Sequence, residues 1–237
     1  MDSGNIGFVL LCAAFVFVMT PGLAMFYGGL VRKKNVVNTM MTSIFIIGIG
    51  IVMWVLFGYS LSFAPSGNAF IGDFSWLGLE GVSLTEGYTD DASIPNMVFS
   101  AFQMMFAVIT PALITGAVAG RMKFKSIFIF TIFWSLIVYY PLAHMVWGQG
   151  GLLGADGIGA LDFAGGDVVH ISSGVSALVL CILLGKRHDY EHSIYRIHNI
   201  PTVVLGASLL MFGWFGFNAG SALAADGLAA HAFMTTG

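Results

Sequence analysis

The nine lysine and arginine residues of this 237-residue chain fall in three short clusters, with long apolar stretches between and around them. The clusters lie at residues 32–34, 121–125 and 186–196. Each apolar stretch has about 20 residues or more, which is the length that an α-helix needs to cross a hydrocarbon core about 30 Å thick. Charged residues make up 9% of the chain and hydrophobic residues 57%, a balance that excludes a soluble domain. The sequence therefore predicts an all-α polytopic membrane protein.

Six stretches are long enough to span a membrane. Their predicted bounds are Ile6 to Leu30, Val36 to Phe63, Ile94 to Ala119, Phe124 to Trp147, Asp162 to Gly185 and Pro201 to Ala225. The connecting loops alternate, because each basic cluster is followed by a loop without lysine or arginine. Basic loops remain in the cytoplasm, so we expect a multi-pass protein of the cell membrane with its N-terminus outside. Residues 1–237 are expected to form one membrane domain.

Sequence motifs for catalysis or for nucleotide binding do not occur in the chain. The loop Gly148 to Gly154 misses the dinucleotide pattern G-x-G-x-x-G by one residue and follows no predicted strand. Cys12 and Cys181 each lie inside an apolar run, which is typical of buried side chains rather than of a disulfide or a metal pair. We therefore do not expect an enzyme, a cofactor or a metal site.

Three ionisable residues near the start of the predicted fifth span are candidate functional residues, because burying such groups in a membrane is expensive. Asp162 is expected at the outer helix end, where a carboxylate caps free backbone N–H groups. Asp167 is expected to serve the helix start. His170 follows Asp162 by eight residues, or about 12 Å of helical rise, which predicts a position near the bilayer centre. There an imidazole either hydrogen-bonds a neighbouring helix or relays a proton.

Aromatic residues spaced by four positions share a helix face, and two such positions on the third span are Phe102 and Phe106. On the sixth span Phe217 and Ser221 have the same spacing. Trp147 ends the fourth span, where it belongs either to an interfacial aromatic belt or to a binding site. If the outer helix ends converge, Trp147, Phe102, Phe106 and Ser221 form a cation–π cage with one hydroxyl acceptor. Such a cage suits a small ammonium-type cation.

Five segments of the chain carry a recognisable pattern. They are FYGGLVRKKN at 26–35, FQMMFA at 102–107, AHMVWG at 143–148, DFAGGDVVHI at 162–171 and GWFGFNAGS at 213–221. Together they resemble the ammonium transporter, methylammonium permease and Rhesus family, in order and over essentially the whole chain. The resemblance implies the ammonium-transporter fold and a homotrimer in which each subunit has its own pore.

The resemblance also implies roles for single residues. Trp147, Phe106 and Ser221, with Phe102 beside them, correspond to the external site that recruits ammonium. Asp162 corresponds to an acidic residue of the outer vestibule that is needed for structure and for recruitment.

Below that site, Phe106 and Phe217 correspond to a stacked gate, and His170 corresponds to the first of two pore histidines. Family members have about eleven spans in two inverted repeats, with the second histidine in the second repeat. This chain is therefore expected to hold the first repeat and the start of the second. Its other histidines are expected outside the pore: His144, His188, His192, His198 and His231.

The function that this implies is a transporter or channel that recruits ammonium, deprotonates it near the phenylalanine gate and conducts ammonia, with or without a proton. Methylammonium is the expected analogue, the lipid bilayer the expected surroundings, and a PII-type regulatory protein an implied partner; no nucleic acid is expected. Two alternatives remain open. One is a membrane module that senses ammonium without transporting it, and the other is a Rhesus-like ammonia channel, which Trp147 and Ser221 disfavour.

Overall fold

The computed structural model describes residues 1–155, 157–187, 190 and 194–237, and its regular structure in these residues is nearly all helical. Six helices are long and apolar enough to cross a membrane, and a shorter helix follows them. Their bounds are α1 Ser3–Leu30, α2 Lys33–Phe63, α3 Asn96–Val118, α4 Phe124–Trp147, α5 Gly166–Leu184, α6 Ile200–Gly220 and α7 Gly227–Thr236. The predicted number and order of spans are confirmed, and Asp156, His188 and His192 lie outside the described residues.

Two predicted helix ends are wrong. The fifth span begins at Gly166 rather than at Asp162, because the backbone at Gly165 is left-handed, with φ of +96°. The sixth span ends at Gly220 rather than at Ala225, and Leu223 in the following turn is also left-handed, with φ of +57°. His170 therefore lies four residues after the first residue of α5, about 6 Å along the helix. Its predicted depth of about 12 Å was counted from a residue outside the helix.

Helix order divides the bundle into two ends of opposite charge. At the basic end, the Arg121 guanidinium donates a hydrogen bond of 2.8 Å to the carbonyl oxygen of Gly185 and so joins the ends of α3 and α5. At the acidic end, the backbone N–H of Asp2 donates to Ser93 O at 2.8 Å. Asp91 and Asp162 line one cavity at this end.

Helices α1 and α6 pack along each other at very short range, and glycines make this approach possible. A Cβ atom on Gly206 would collide with the backbone nitrogen of Phe26 and lie 2.6 Å from Gly22 O. A Cβ atom on Gly216 would lie 2.7 Å from the Cβ of Phe15. Lipid chains give helices no hydrophobic reason to associate, so close backbone packing of this kind stabilises the pair instead.

Buried polar side chains fix the loops at the acidic end. His144 on α4 is 1% exposed, with Nδ1 3.1 Å from Ser62 O and Nε2 2.8 Å from Asn68 O. The hydroxyl group of Tyr59 donates to Asn96 Oδ1, which ties the end of α2 to the start of α3. All of these bonds satisfy buried polar groups. The two contacts of His144 hold the last turn of α4, which carries Trp147, against the end of α2 and the loop that follows it.

Replacing Gly206 with alanine should destabilise the protein by about 1–3 kcal/mol, because the added methyl group has no space between α1 and α6. Thermal unfolding of the detergent-solubilised protein measures the effect. Gly7→Ala is the matched control on α1, since no atom lies within 4 Å of a Cβ built at Gly7. The control should be neutral or more stable by up to about 1 kcal/mol. Equal melting temperatures for the two variants would contradict this account of the packing.

Candidate functional site

A cavity of about 510 Å³ opens at the acidic end, and five residues selected from the sequence line it. They are Phe102, Phe106, Trp147, Asp162 and Ser221. We call this space the aromatic cavity. Its walls come from α3, from the end of α4, from the loop before α5 and from the turn after α6, so residues far apart in the sequence meet here.

Three aromatic rings form one side of the aromatic cavity. The ring centroids of Phe102 and Phe106 lie 4.9 Å apart at 66°, and those of Phe106 and Trp147 lie 6.1 Å apart at 88°. Phe102 reaches this position because Gly220 on α6 has no side chain, and a Cβ there would lie 2.7 Å from the ring. Aromatic faces carry negative charge density, so the cavity suits a small cation that has lost part of its water.

Ser221, in the turn after α6, supplies a polar group to the wall of the aromatic cavity. Its hydroxyl group donates a hydrogen bond of 2.9 Å to Phe217 O. Since a hydroxyl has one hydrogen and two lone pairs, this bond leaves the Ser221 oxygen free to accept. An N–H donor in the aromatic cavity therefore finds an acceptor there.

The carboxylate of Asp162 accepts hydrogen bonds from four backbone N–H groups. Its Oδ1 accepts from Gly165 N–H at 2.5 Å and Gly166 N–H at 2.8 Å, and its Oδ2 accepts from Asp167 N–H at 2.8 Å and Val168 N–H at 3.0 Å. This is the cap predicted from the sequence, although it lies before the helix rather than within it. The backbone oxygen of Asp162 also accepts a bond of 2.9 Å from Trp147 Nε1. One residue thus positions both α5 and the indole ring.

Phe217 and His170 are not among the residues that line the aromatic cavity, and they follow Phe106 in a chain of ring contacts. The centroids of Phe106 and Phe217 lie 4.3 Å apart at 37°, so the rings are tilted rather than parallel. The His170 ring lies 6.0 Å from that of Phe217 and stacks on Trp214 at 5.5 Å. His170 is exposed on a face of α5 that the described residues leave uncovered.

Several residues at the site were missed by sequence reasoning. Trp214 supports the His170 ring, and its position three residues before Phe217 on α6 is the signal that could have found it. Gln103 lines the aromatic cavity, is 8% exposed, and has an oxygen with no hydrogen-bond partner among the described residues. Tyr88 and Ser93 line it as well, and no local pattern marks these loop residues.

Comparison with known proteins identifies the group to which this arrangement belongs. The model of the Ammonium Transporter Family matches residues 7–237. The chain belongs to the ammonium transporter family. An ammonium transporter of Bacillus subtilis is 53% identical over 236 residues, which cover all of this chain and 57% of the relative. The chain thus spans little more than half the length of that curated relative.

Solved structures of the family have the same fold. Mep2 of Saccharomyces cerevisiae is 36% identical, with a TM-score of 0.87 over 99% of this chain and 52% of the yeast chain. A protein described as a sensor Amt protein is 29% identical, with a TM-score of 0.81 over 96% of this chain and 56% of its own. The predicted ammonium-transporter fold is confirmed, and the chain is a multi-pass membrane protein of this family.

Replacing Asp162 with asparagine should destabilise the chain by about 1–3 kcal/mol. An amide has one acceptor oxygen and would turn its NH₂ group toward backbone donors, which leaves partly buried N–H groups unpaired. The melting temperature and the yield of folded protein measure the loss. Asp167→Asn is the matched control, because the cap uses the backbone N–H of Asp167 rather than its carboxylate. Equal stability of the two variants would show that the cap contributes little.

Proposed function

We propose that the protein containing this chain transports ammonium across a membrane, and that the aromatic cavity is its recruitment site. The proposal rests on the order in which the aromatic cavity, the phenylalanine contact and the histidine follow one another. A cavity with aromatic faces and the acceptor oxygen of Ser221 precedes a contact between two phenylalanine rings, and a histidine follows that contact. Membership of the ammonium transporter family supports the choice of cation.

Recruitment depends on partial dehydration of the cation. Ammonium in the aromatic cavity exchanges water for the faces of Trp147, Phe102 and Phe106, and it donates one N–H to Ser221. A contact of this kind with an aromatic face contributes about 0.5–2 kcal/mol. Asp162 acts from the wall through its charge, since its carboxylate oxygens already accept backbone hydrogen bonds.

Passage beyond Phe106 requires loss of the charge. A bare cation has a large desolvation cost in an apolar path, whereas neutral ammonia does not carry that cost. In this mechanism ammonium is deprotonated near Phe106 and Phe217, and ammonia crosses along His170. The proton passes either back to water in the aromatic cavity or onward to the imidazole of His170, which is suited to relay it because it can both donate and accept.

The remainder of the function depends on the assembled protein. By the distribution of lysine and arginine, the basic end faces the cytoplasm and Ser3 at the start of α1 lies outside the cell membrane. The second half present in the longer relatives covers the exposed face of His170. Three copies of the protein assemble into a trimer. A PII-type regulatory protein binds this trimer from the cytoplasm.

Ammonium sensing is the second candidate function, because one structural relative is described as a sensor Amt protein. A sensor binds ammonium in the aromatic cavity and conducts none. Current and labelled methylammonium uptake in proteoliposomes separate the two functions. The 237-residue chain is assayed beside a form extended to the length of the relatives. Uptake by the extended form supports the transporter, and binding without uptake in both forms favours the sensor.

Trp147→Leu should raise the apparent KM for ammonium about fivefold, since the loss of one cation–π contact costs about 1 kcal/mol. Trp147→Phe keeps an aromatic face and should give a smaller increase. Uptake of labelled methylammonium at several concentrations measures both. If leucine and phenylalanine have the same effect, the indole acts only through its hydrogen bond to Asp162 and not as a cation site.

His170→Leu should strongly reduce or alter uptake by the extended form, while the melting temperature of the 237-residue chain stays near that of its parent, because the imidazole is exposed in that chain and contributes little to packing. His231→Leu is the control, since His231 lies exposed on α7. We expect normal uptake from the control. Unchanged uptake by His170→Leu would remove this histidine from the mechanism.

A further inference from the structure

Asn5, in the first turn of α1, connects two walls of the aromatic cavity. Its Nδ2 donates a hydrogen bond of 2.9 Å to Ser93 Oγ, and its Oδ1 accepts one of 2.9 Å from the backbone N–H of Ala225. Ser93 lies 88 residues away in the sequence and Ala225 lies 220 residues away. A single side chain thus bridges the segment before α3 and the turn after α6.

Both partners belong to the framework of the aromatic cavity. Ser93 and Ala92 line it from the segment before α3, and Ser221 and Ala224 line it from the turn after α6. Ala225 directly follows this second wall, four residues after the free acceptor of Ser221. The distance between the walls is therefore set in part by one amide group.

The orientation of the amide is fixed by its partners. The backbone N–H of Ala225 can only donate, so the oxygen of Asn5 must face it and the nitrogen must face Ser93. Asparagine presents an acceptor and a donor side by side on a short side chain. Alanine at this position would make neither bond.

The turn that Asn5 holds contains a costly backbone conformation. Leu223 within it adopts left-handed φ of +57°, a conformation that is costly for a leucine and persists only when surrounding contacts hold it. The side chain of Leu223 packs against the buried core, and the bond from Leu223 N–H to Gly220 O, 2.9 Å long, stays within the turn itself. The bond from Ala225 N–H to Asn5 Oδ1 joins the turn to α1.

We propose that Asn5 is a positioning residue for ammonium binding, because its amide joins the Ser93 wall to the Ser221 wall and so sets the distance between the Ser221 hydroxyl group and the aromatic rings. This inference rests on the proposed function in that the ligand is ammonium. Asn5 itself does not touch the cation. Its effect on ammonium binding is indirect, because it positions the hydroxyl group of Ser221.

The first test is the kinetics of ammonium-dependent uptake in proteoliposomes containing the full-length protein. Asn5→Ala should raise the apparent KM about fivefold, the factor that one hydrogen bond of ordinary strength is worth, while the maximal rate stays unchanged. Ser93→Ala should have a similar effect because it releases one end of the bridge. In a Ser221→Ala background Asn5→Ala should cause no further increase, since the group that it positions is already gone.

Asn199→Ala is the matched control. Asn199 caps the opposite end of α6 by accepting a bond of 3.0 Å from Thr202 N–H, so its loss should lower the melting temperature and leave the KM unchanged. If Asn5→Ala behaves in the same way, or raises the KM equally with and without Ser221, the proposal is overturned.

A second measurement does not depend on transport. Spin labels at Asp90 and Ala230, both exposed at the acidic end, report the distance between the walls in a variant without the native cysteines. Asn5→Ala should broaden that distance distribution, and an unchanged distribution contradicts the bridge. If the parent protein shows no uptake but Asn5→Ala still broadens the distance distribution, the proposed transport function fails and the bridge between the walls is supported.

Discussion

The carboxylate of Asp162 accepts four backbone N–H groups before the first turn of α5, and the geometry of the site depends on this cap. Buried helix ends leave N–H groups that must find acceptors, and hydrocarbon offers none. Because the cap fixes where α5 begins, it also fixes His170 on that helix. The backbone oxygen of the same residue holds the indole of Trp147. One aspartate thus positions both the start of α5 and the indole ring of the proposed recruitment site.

The order of rings from Trp147 to His170 has a simple physical meaning. Polar and aromatic groups surround the aromatic cavity, whereas the contact between Phe106 and Phe217 is apolar and close, with centroids 4.3 Å apart. Along this line an apolar contact thus separates the aromatic cavity from the His170 imidazole. The proposed loss of charge near Phe106 and Phe217 would spare the solute the cost of carrying a bare cation across this contact.

Most of the fold could be predicted from the sequence, because apolar runs of membrane-spanning length have few other solutions. The start of α5 and the end of α6 could not be predicted in the same way. Residues 162–165 and 221–225 hold several alanines and a single charged residue, so they resemble the adjoining spans by composition, although the backbone at Gly165 and Leu223 is left-handed. The cavity residues Phe106 and Ser221 were found from spacing and resemblance. Asn5 was not, since its partners lie 88 and 220 residues away.

The lengths of the helices have a consequence for the surrounding lipid. Helix α1 has 28 residues and is about 42 Å long, whereas α5 has 19 residues and is about 28 Å long. A hydrocarbon core about 30 Å thick matches α5 and is too thin for α1, so α1 tilts or projects into the headgroup layer. Hydrophobic mismatch is therefore uneven around the bundle. Because packing against α6 restrains the tilt of α1, acyl-chain length sets how far the first turn of α1 stands above the hydrocarbon core.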